Sequence, residues 1–162
     1  MTPTLLLAAI LAGAEPAEAV KFFEGSYSDA IAKGASKKVL LFVDFYTDWC
    51  GWCKRMDRDV YARADVNAYL SEHFVTVKLN AESGELAGYQ GRNYSGRSLA
   101  AAFGIDGYPT TVFLSATGDR LVNVPGYVEP ERFLLLLRYI GDGHMARSEK
   151  WDDYVKQSKS GR

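Results

Sequence analysis

Val39-Leu40-Leu41-Phe42-Val43-Asp44-Phe45-Tyr46-Thr47-Asp48-Trp49-Cys50-Gly51-Trp52-Cys53-Lys54 joins an apolar run to a pair of cysteines. Val39 to Tyr46 is rich in β-branched and aromatic residues, with Asp44 its single charge. That pattern predicts a strand covered on both faces. The polar, helix-tolerant sequence from Lys54 to Tyr61 then predicts a strand–turn–helix transition with the cysteines at the helix start. Residues three apart in a first helical turn lie on one side of the axis, so the two sulfurs come within disulfide reach. Cys50 would stand at the helix N-terminus, where unpaired N–H groups and the positive dipole end favour the nucleophilic thiolate. The expectation is a redox pair, with Cys50 the nucleophile open to solvent and Cys53 the more buried resolving thiol.

Other uses of the pair fit less well. Zinc needs two further ligands, and His73 and His144 lack the spacing for it. Haem attachment needs a histidine directly after the second cysteine, where this chain has Lys54. A purely structural disulfide across so short a loop would stabilise little. No metal and no cofactor are expected.

Outward from the pair, Tyr27 to Lys33 reads as a helix with Ser26 as N-cap and Gly34 as stop. Ala64 to His73 is helical, with Val66, Tyr69 and Leu70 on one face. Phe74 to Asn80 alternates, placing Val75, Val77 and Leu79 on one side and Lys78 on the other. Residues 81–98, rich in glycine and polar side chains, read as an extended surface loop leading into a helix from Leu99 to Phe103. Thr111 to Ser115 and Arg120 to Val124 form a hairpin across Ala116-Thr117-Gly118-Asp119. An apolar helix runs from Glu129 to Gly141, and Trp151, Tyr154 and Val155 mark a terminal helix docked on the surface. Early alternation of strands and helices, closed by a hairpin and a helix, implies a central sheet with helices on both faces.

The chain has 162 residues, 48% hydrophobic and 24% charged, which suits one ordinary globular domain. A formal net charge of −1 offers no electrostatic case for nucleic acid or an acidic membrane surface. Residues Met1 to Ala19 read as a signal peptide: an apolar run from Leu5 to Ala12, then Ala17-Glu18-Ala19 as a cleavage site. Ala12-Gly13-Ala14 fits the same cleavage rule, no Lys or Arg precedes the run, and an uncleaved N-terminal helix is the other reading. The expected organisation is therefore 1–19 signal peptide, 20–141 the folded domain and 142–162 a C-terminal helical extension.

Val43 to Lys54 resembles the active-site segment of the thioredoxin superfamily, with Trp52 where thioredoxin has proline. The likeness covers most of Val20 to Gly141. It is strongest toward exported thioredoxin-like proteins and the C-terminal domain of thiol:disulfide interchange proteins. The resemblance implies an α/β thioredoxin-like fold, a central mixed sheet flanked by helices on both faces. It makes Asp44 the buried acid that takes the proton of Cys53, and Lys78 the cation facing that acid. It also implies a cis bond before Pro109, with the backbone of Tyr108 left free to pair with an extended substrate. Gly126 is similar to a glycine that lets the substrate backbone approach. Trp49 and Trp52, flanking Cys50, supply an apolar docking surface, with Trp52 expected to be the more exposed.

The function so implied is an exported thiol–disulfide oxidoreductase that reduces protein disulfides, sited in a bacterial periplasm. It would act as a monomer on disulfide-containing protein substrates, recharged by a membrane thiol electron donor. Two other readings compete. A non-catalytic binding or chaperone module would use the two tryptophans and residues 81–98 as a docking surface, and a metal-delivery protein would bind Cu(I) through the cysteines.

Overall fold

The computed structural model describes residues 20–160; the segment read as a signal peptide lies outside them. The strands are β1 (Leu40–Tyr46), β2 (Phe74–Asn80), β3 (Ala87–Tyr89), β4 (Arg92–Tyr94), β5 (Thr110–Leu114) and β6 (Arg120–Pro125). The helices are α1 (Tyr27–Lys37), α2 (Gly51–Met56), α3 (Ala64–His73), α4 (Gly96–Ala102), α5 (Pro130–Gly141) and α6 (Trp151–Ser160). A π-helical stretch, Asp57–Tyr61, continues α2.

The main sheet has the order β2-β1-β5-β6 and is mixed: β1 runs parallel to β2 and antiparallel to β5, and β5 pairs antiparallel with β6. Alternation along β1 divides the core in two. Leu41, Val43 and Phe45 point into a cluster with Tyr27, Leu99, Phe103 and Val112. Phe42 points to the other face, onto Tyr61, Phe113 and Phe133. Both faces of β1 are covered, as its uninterrupted apolar sequence requires. This is the α/β arrangement read from the sequence.

Three local expectations are corrected. Gly34 does not stop α1, which runs on to Lys37 and closes with Lys38 in the left-handed region at φ 58°. Gly34 is instead the point where α1 lies on β1: an added Cβ would stand 2.7 Å from Leu41 Cδ1, itself fully buried. Gly34→Ala is therefore expected to destabilise the protein by about 1–3 kcal/mol through overpacking, despite the better helix propensity of alanine. A urea melt checks this, and an unchanged or higher midpoint contradicts it.

Residues 81–98 are not an open loop. Ala87 and Tyr89 are buried, and β3 and β4 form a hairpin whose tight turn has both central residues at positive φ, Gln90 at 48° and Gly91 at 74°. Gln-Gly met that need less visibly than Asn-Gly would have. The helix after it begins earlier than expected, at Gly96, because Ser95 caps it by accepting a hydrogen bond from Ser98 N–H.

At the far end, α6 packs back on α5. Tyr139 meets Trp151 edge-on at 5.2 Å, Tyr154 is buried, and His144 Nδ1 lies 2.6 Å from Glu149 Oε2 in the connection. Among the described residues no helix is long and apolar enough to cross a membrane.

Candidate active site

The cysteines stand where β1 ends. Cys50 is the N-cap of α2 with extended φ, and the two residues are joined as a disulfide with their Cα atoms 5.3 Å apart. Cys50 Sγ also accepts a hydrogen bond from Cys53 N–H at 3.0 Å. A free N–H at a helix start, aimed at this sulfur, is the arrangement that would stabilise a thiolate once the bond is reduced.

Exposure differs from the expectation. Cys50 is 4% exposed and Cys53 3%, so neither is open to solvent and the two differ little. The sulfur of Cys50 is turned back over the first turn of α2, onto the Cys53 N–H and its bonded partner. Trp49, at 67%, is more exposed than Trp52, at 53%, which reverses their expected order. The reason lies in their neighbours. Trp52 leans on Tyr127 at 5.6 Å with Arg55 against both rings, whereas Trp49 meets Tyr108 edge-on at 6.3 Å.

The Tyr108–Pro109 peptide is cis. Pro109 C=O accepts a hydrogen bond from Gly126 N–H at 2.8 Å, which ties the start of β5 to the turn after β6. Gly126 has φ 80°, and no atom lies within 4 Å of where a Cβ would stand.

Beneath α2, Asp44 is 1% exposed. Parallel pairing of β1 and β2 sets Asp44 level with Lys78, and Lys78 Nζ lies 3.5 Å from Asp44 Oδ2. Two residues the sequence reading did not single out complete the group. Tyr61 donates from its hydroxyl to Asp44 Oδ1 at 3.2 Å, and Asp57 forms a tighter ion pair with Lys78 than Asp44 does. Both sit on the π-helical stretch, which turns them toward the sheet. Their one sequence signal was spacing: Asp57 and Tyr61 fall one turn apart in the stretch read as helical after the cysteines.

Burial pushes the Asp44 carboxyl up to about 6. Lys78 opposes the shift, Asp57 adds to it by like-charge repulsion, and the Tyr61 hydroxyl opposes it. Burial also holds the Tyr61 phenol well above its ordinary value, helped by the Asp44 charge. Substitutions at the two newly found residues should therefore move Asp44 in opposite directions. Asp57→Asn removes a repelling charge and frees Lys78, so the Asp44 titration should fall. Tyr61→Phe removes a hydrogen bond to the carboxylate, so it should rise. Carboxyl carbon shifts of Asp44 followed against pH read both, and shifts of the same sign would contradict this account. Among the described residues no hydrogen bond joins Asp44 to Cys53 directly; Asp44 bonds Tyr61 and pairs with Lys78.

Comparison with known proteins points one way. The family model for the thioredoxin-like domain matches residues 27–141. Protein disulfide isomerase-like 5-2 of Oryza sativa subsp. japonica is 35% identical over 106 residues, 59% of this chain and 22% of that protein. Thiol:disulfide interchange protein DsbD of Ralstonia nicotianae is 34% identical over 99 residues, 60% of this chain and 15% of that protein. The chain thus spans only about a fifth of the length of these relatives. Among solved structures, a thioredoxin-fold protein from Helicobacter pylori superposes with a TM-score of 0.65 at 24% identity, covering 76% of this chain and 82% of its own.

Proposed function

This chain belongs to the thioredoxin-like domain family, and on that premise we propose that it is a protein-disulfide oxidoreductase acting through Cys50 and Cys53. The observation that carries the reading is the hydrogen bond from Cys53 N–H to Cys50 Sγ at the start of α2, because it favours the charged sulfur that must attack. In the reduced protein, the Cys50 thiolate attacks one sulfur of a substrate disulfide. A mixed disulfide forms and the other substrate sulfur leaves as a thiolate. Cys53, deprotonated with Asp44 as proton acceptor, then attacks Cys50 Sγ and expels the second substrate thiolate. The substrate gains two electrons and the protein returns to its disulfide. Lys78 balances the charge on Asp44. Trp49, Trp52, Tyr108, Pro109 and Gly126 form the face on which substrate is held.

The direction proposed is reduction of protein disulfides, by a monomer exported to a bacterial periplasm and recharged by a membrane thiol donor. Supporting this are the likeness to the Ralstonia nicotianae interchange protein, the Asp44–Lys78 pair and the apolar run Leu5 to Ala12.

Pre-reduced protein mixed with insulin, with no other thiol present, should convert one insulin disulfide to thiols for each Cys50–Cys53 bond formed. No transfer would overturn the reading. Oxidised protein should oxidise a reduced, unfolded chain more slowly than this; the opposite order would reverse the proposed direction. Export is tested by N-terminal sequencing of the protein expressed from the whole chain in a bacterium, which should begin at Val20.

A further inference from the structure

Arg55 and Tyr127, given no part in the exchange steps above, pack with Trp52 of the substrate face. The Arg55 guanidinium lies 5.2 Å from the Trp52 ring and 5.0 Å from the Tyr127 ring, and the two rings are themselves 5.6 Å apart. Arg55 Nε donates to Asp59 Oδ2 at 3.2 Å, while its two Nη groups make no hydrogen bond among the described residues. Packed against the two rings and tethered at Nε, the guanidinium is 47% exposed. Its position is at the redox end of the fold. Trp52 stands between the two cysteines, and Tyr127 follows the Gly126 whose N–H holds Pro109 C=O.

The charges around it favour an anion. Lys54, Arg55 and Arg58 are exposed or partly exposed along α2 and its continuation, against Asp59, which bonds both arginines. Asp57 pairs with Lys78, and Asp48 accepts from Asn80 Nδ2 at 3.2 Å.

We infer that Arg55, packed beside Trp52 and Tyr127, selects disulfide substrates with an acidic side chain next to the cystine. The inference rests on the oxidoreductase reading and names the substrate class of that same site. A carboxylate beside the attacked sulfur would accept from the free Nη groups as the substrate segment settles against Trp52. Two backbone-identical carboxamide and carboxylate side chains differ only in charge, so they isolate the effect.

The test uses disulfide-linked dimers of acetyl-Gly-X-Cys-X-Gly-amide with X as Glu, Gln or Lys. Pre-reduced protein is mixed with each in single turnover, and each rate is divided by that peptide's rate with dithiothreitol. At low salt the Glu peptide should react about fivefold faster than Gln, and Lys slowest, with the spread shrinking as salt shortens the screening length. In Arg55→Gln the Glu-to-Gln ratio should fall close to one, and Tyr127→Ala should lower it part of the way. A merely structural role for Arg55 would slow all three peptides alike and leave the ratio standing. Equal rates in the parent protein, or a ratio that survives Arg55→Gln, overturn the selection while leaving the exchange chemistry intact. No reaction with any peptide overturns both.

Discussion

Cys50→Ser is expected to bring disulfide exchange down to the uncatalysed background, a loss on the order of 10³-fold or more, as when an essential nucleophile is removed. Serine keeps the size and a hydrogen-bond acceptor for the Cys53 N–H, so the fold and the cap of α2 should survive. What it lacks is an ionisable sulfur able to form the mixed disulfide. Cys53→Ala should behave differently. Its Cys50 thiolate still attacks, but nothing then expels the second substrate thiolate, so a covalent protein–substrate adduct accumulates. Non-reducing electrophoresis with insulin separates the two variants: a shifted band for Cys53→Ala that disappears on adding dithiothreitol, and none for Cys50→Ser. A Cys50→Ser protein that still turned over would mean Cys53 is the attacking group, and the assignment of roles along α2 would be inverted.

Asp44 should make the oxidised protein less stable as pH rises. Its carboxyl is raised to about 6 in the fold, by burial above all, from an ordinary value of about 3.9 in the unfolded chain. Between these two values the folded state holds the proton more tightly than the unfolded one. The contribution to stability is complete below pH 4 and is lost as pH climbs through about 6. The loss corresponds to about 3 kcal/mol at pH 8 by linkage. Asp44→Asn should recover about 2–3 kcal/mol at pH 8 and leave little difference at pH 4, because the amide keeps a hydrogen bond to Tyr61 without the charge. Urea melts of both proteins at pH 4 and pH 8 give the comparison. A variant that is less stable than the parent at pH 8 would show that Lys78 outweighs desolvation. The same substitution should slow release of the second substrate thiolate by about 10²-fold or more, the usual worth of a positioned proton acceptor. Stability gained and activity lost at one position would mark Asp44 as a group kept for its chemistry.

Much of this molecule is legible along the chain because its signals are local. Alternation in Phe74 to Asn80 assigns Lys78 to one face of β2 and the valines to the other, and both assignments hold. The unbroken apolar run of β1 marks a doubly covered strand, and the spacing of the cysteines at a strand–helix junction places them within one helical turn. Two departures were decided by contacts outside the segment itself. Gly34 looked like a helix stop because glycine often is one; its neighbour Leu41 lies on the strand beyond. Tyr89 looked like part of a loop, yet it packs on Phe103 at 4.8 Å, and that burial turns residues 87–94 into a hairpin.

From the order of residues alone came a central sheet with helices on both faces, the paired sulfurs and the lone acid in the strand behind them. These depend on periodicities of two and of about four residues and on helix-start chemistry, all of which act over a few neighbouring positions. Tertiary structure alone decided the rest: that Asp57 shares Lys78 with Asp44, that Tyr61 reaches the same carboxyl, and that Arg55 packs against both Trp52 and Tyr127. Each is a contact between side chains brought together by strand register or by the turn after β6. Coulombic and stacking energies depend on distance in space, which is set only when the two layers close on the sheet.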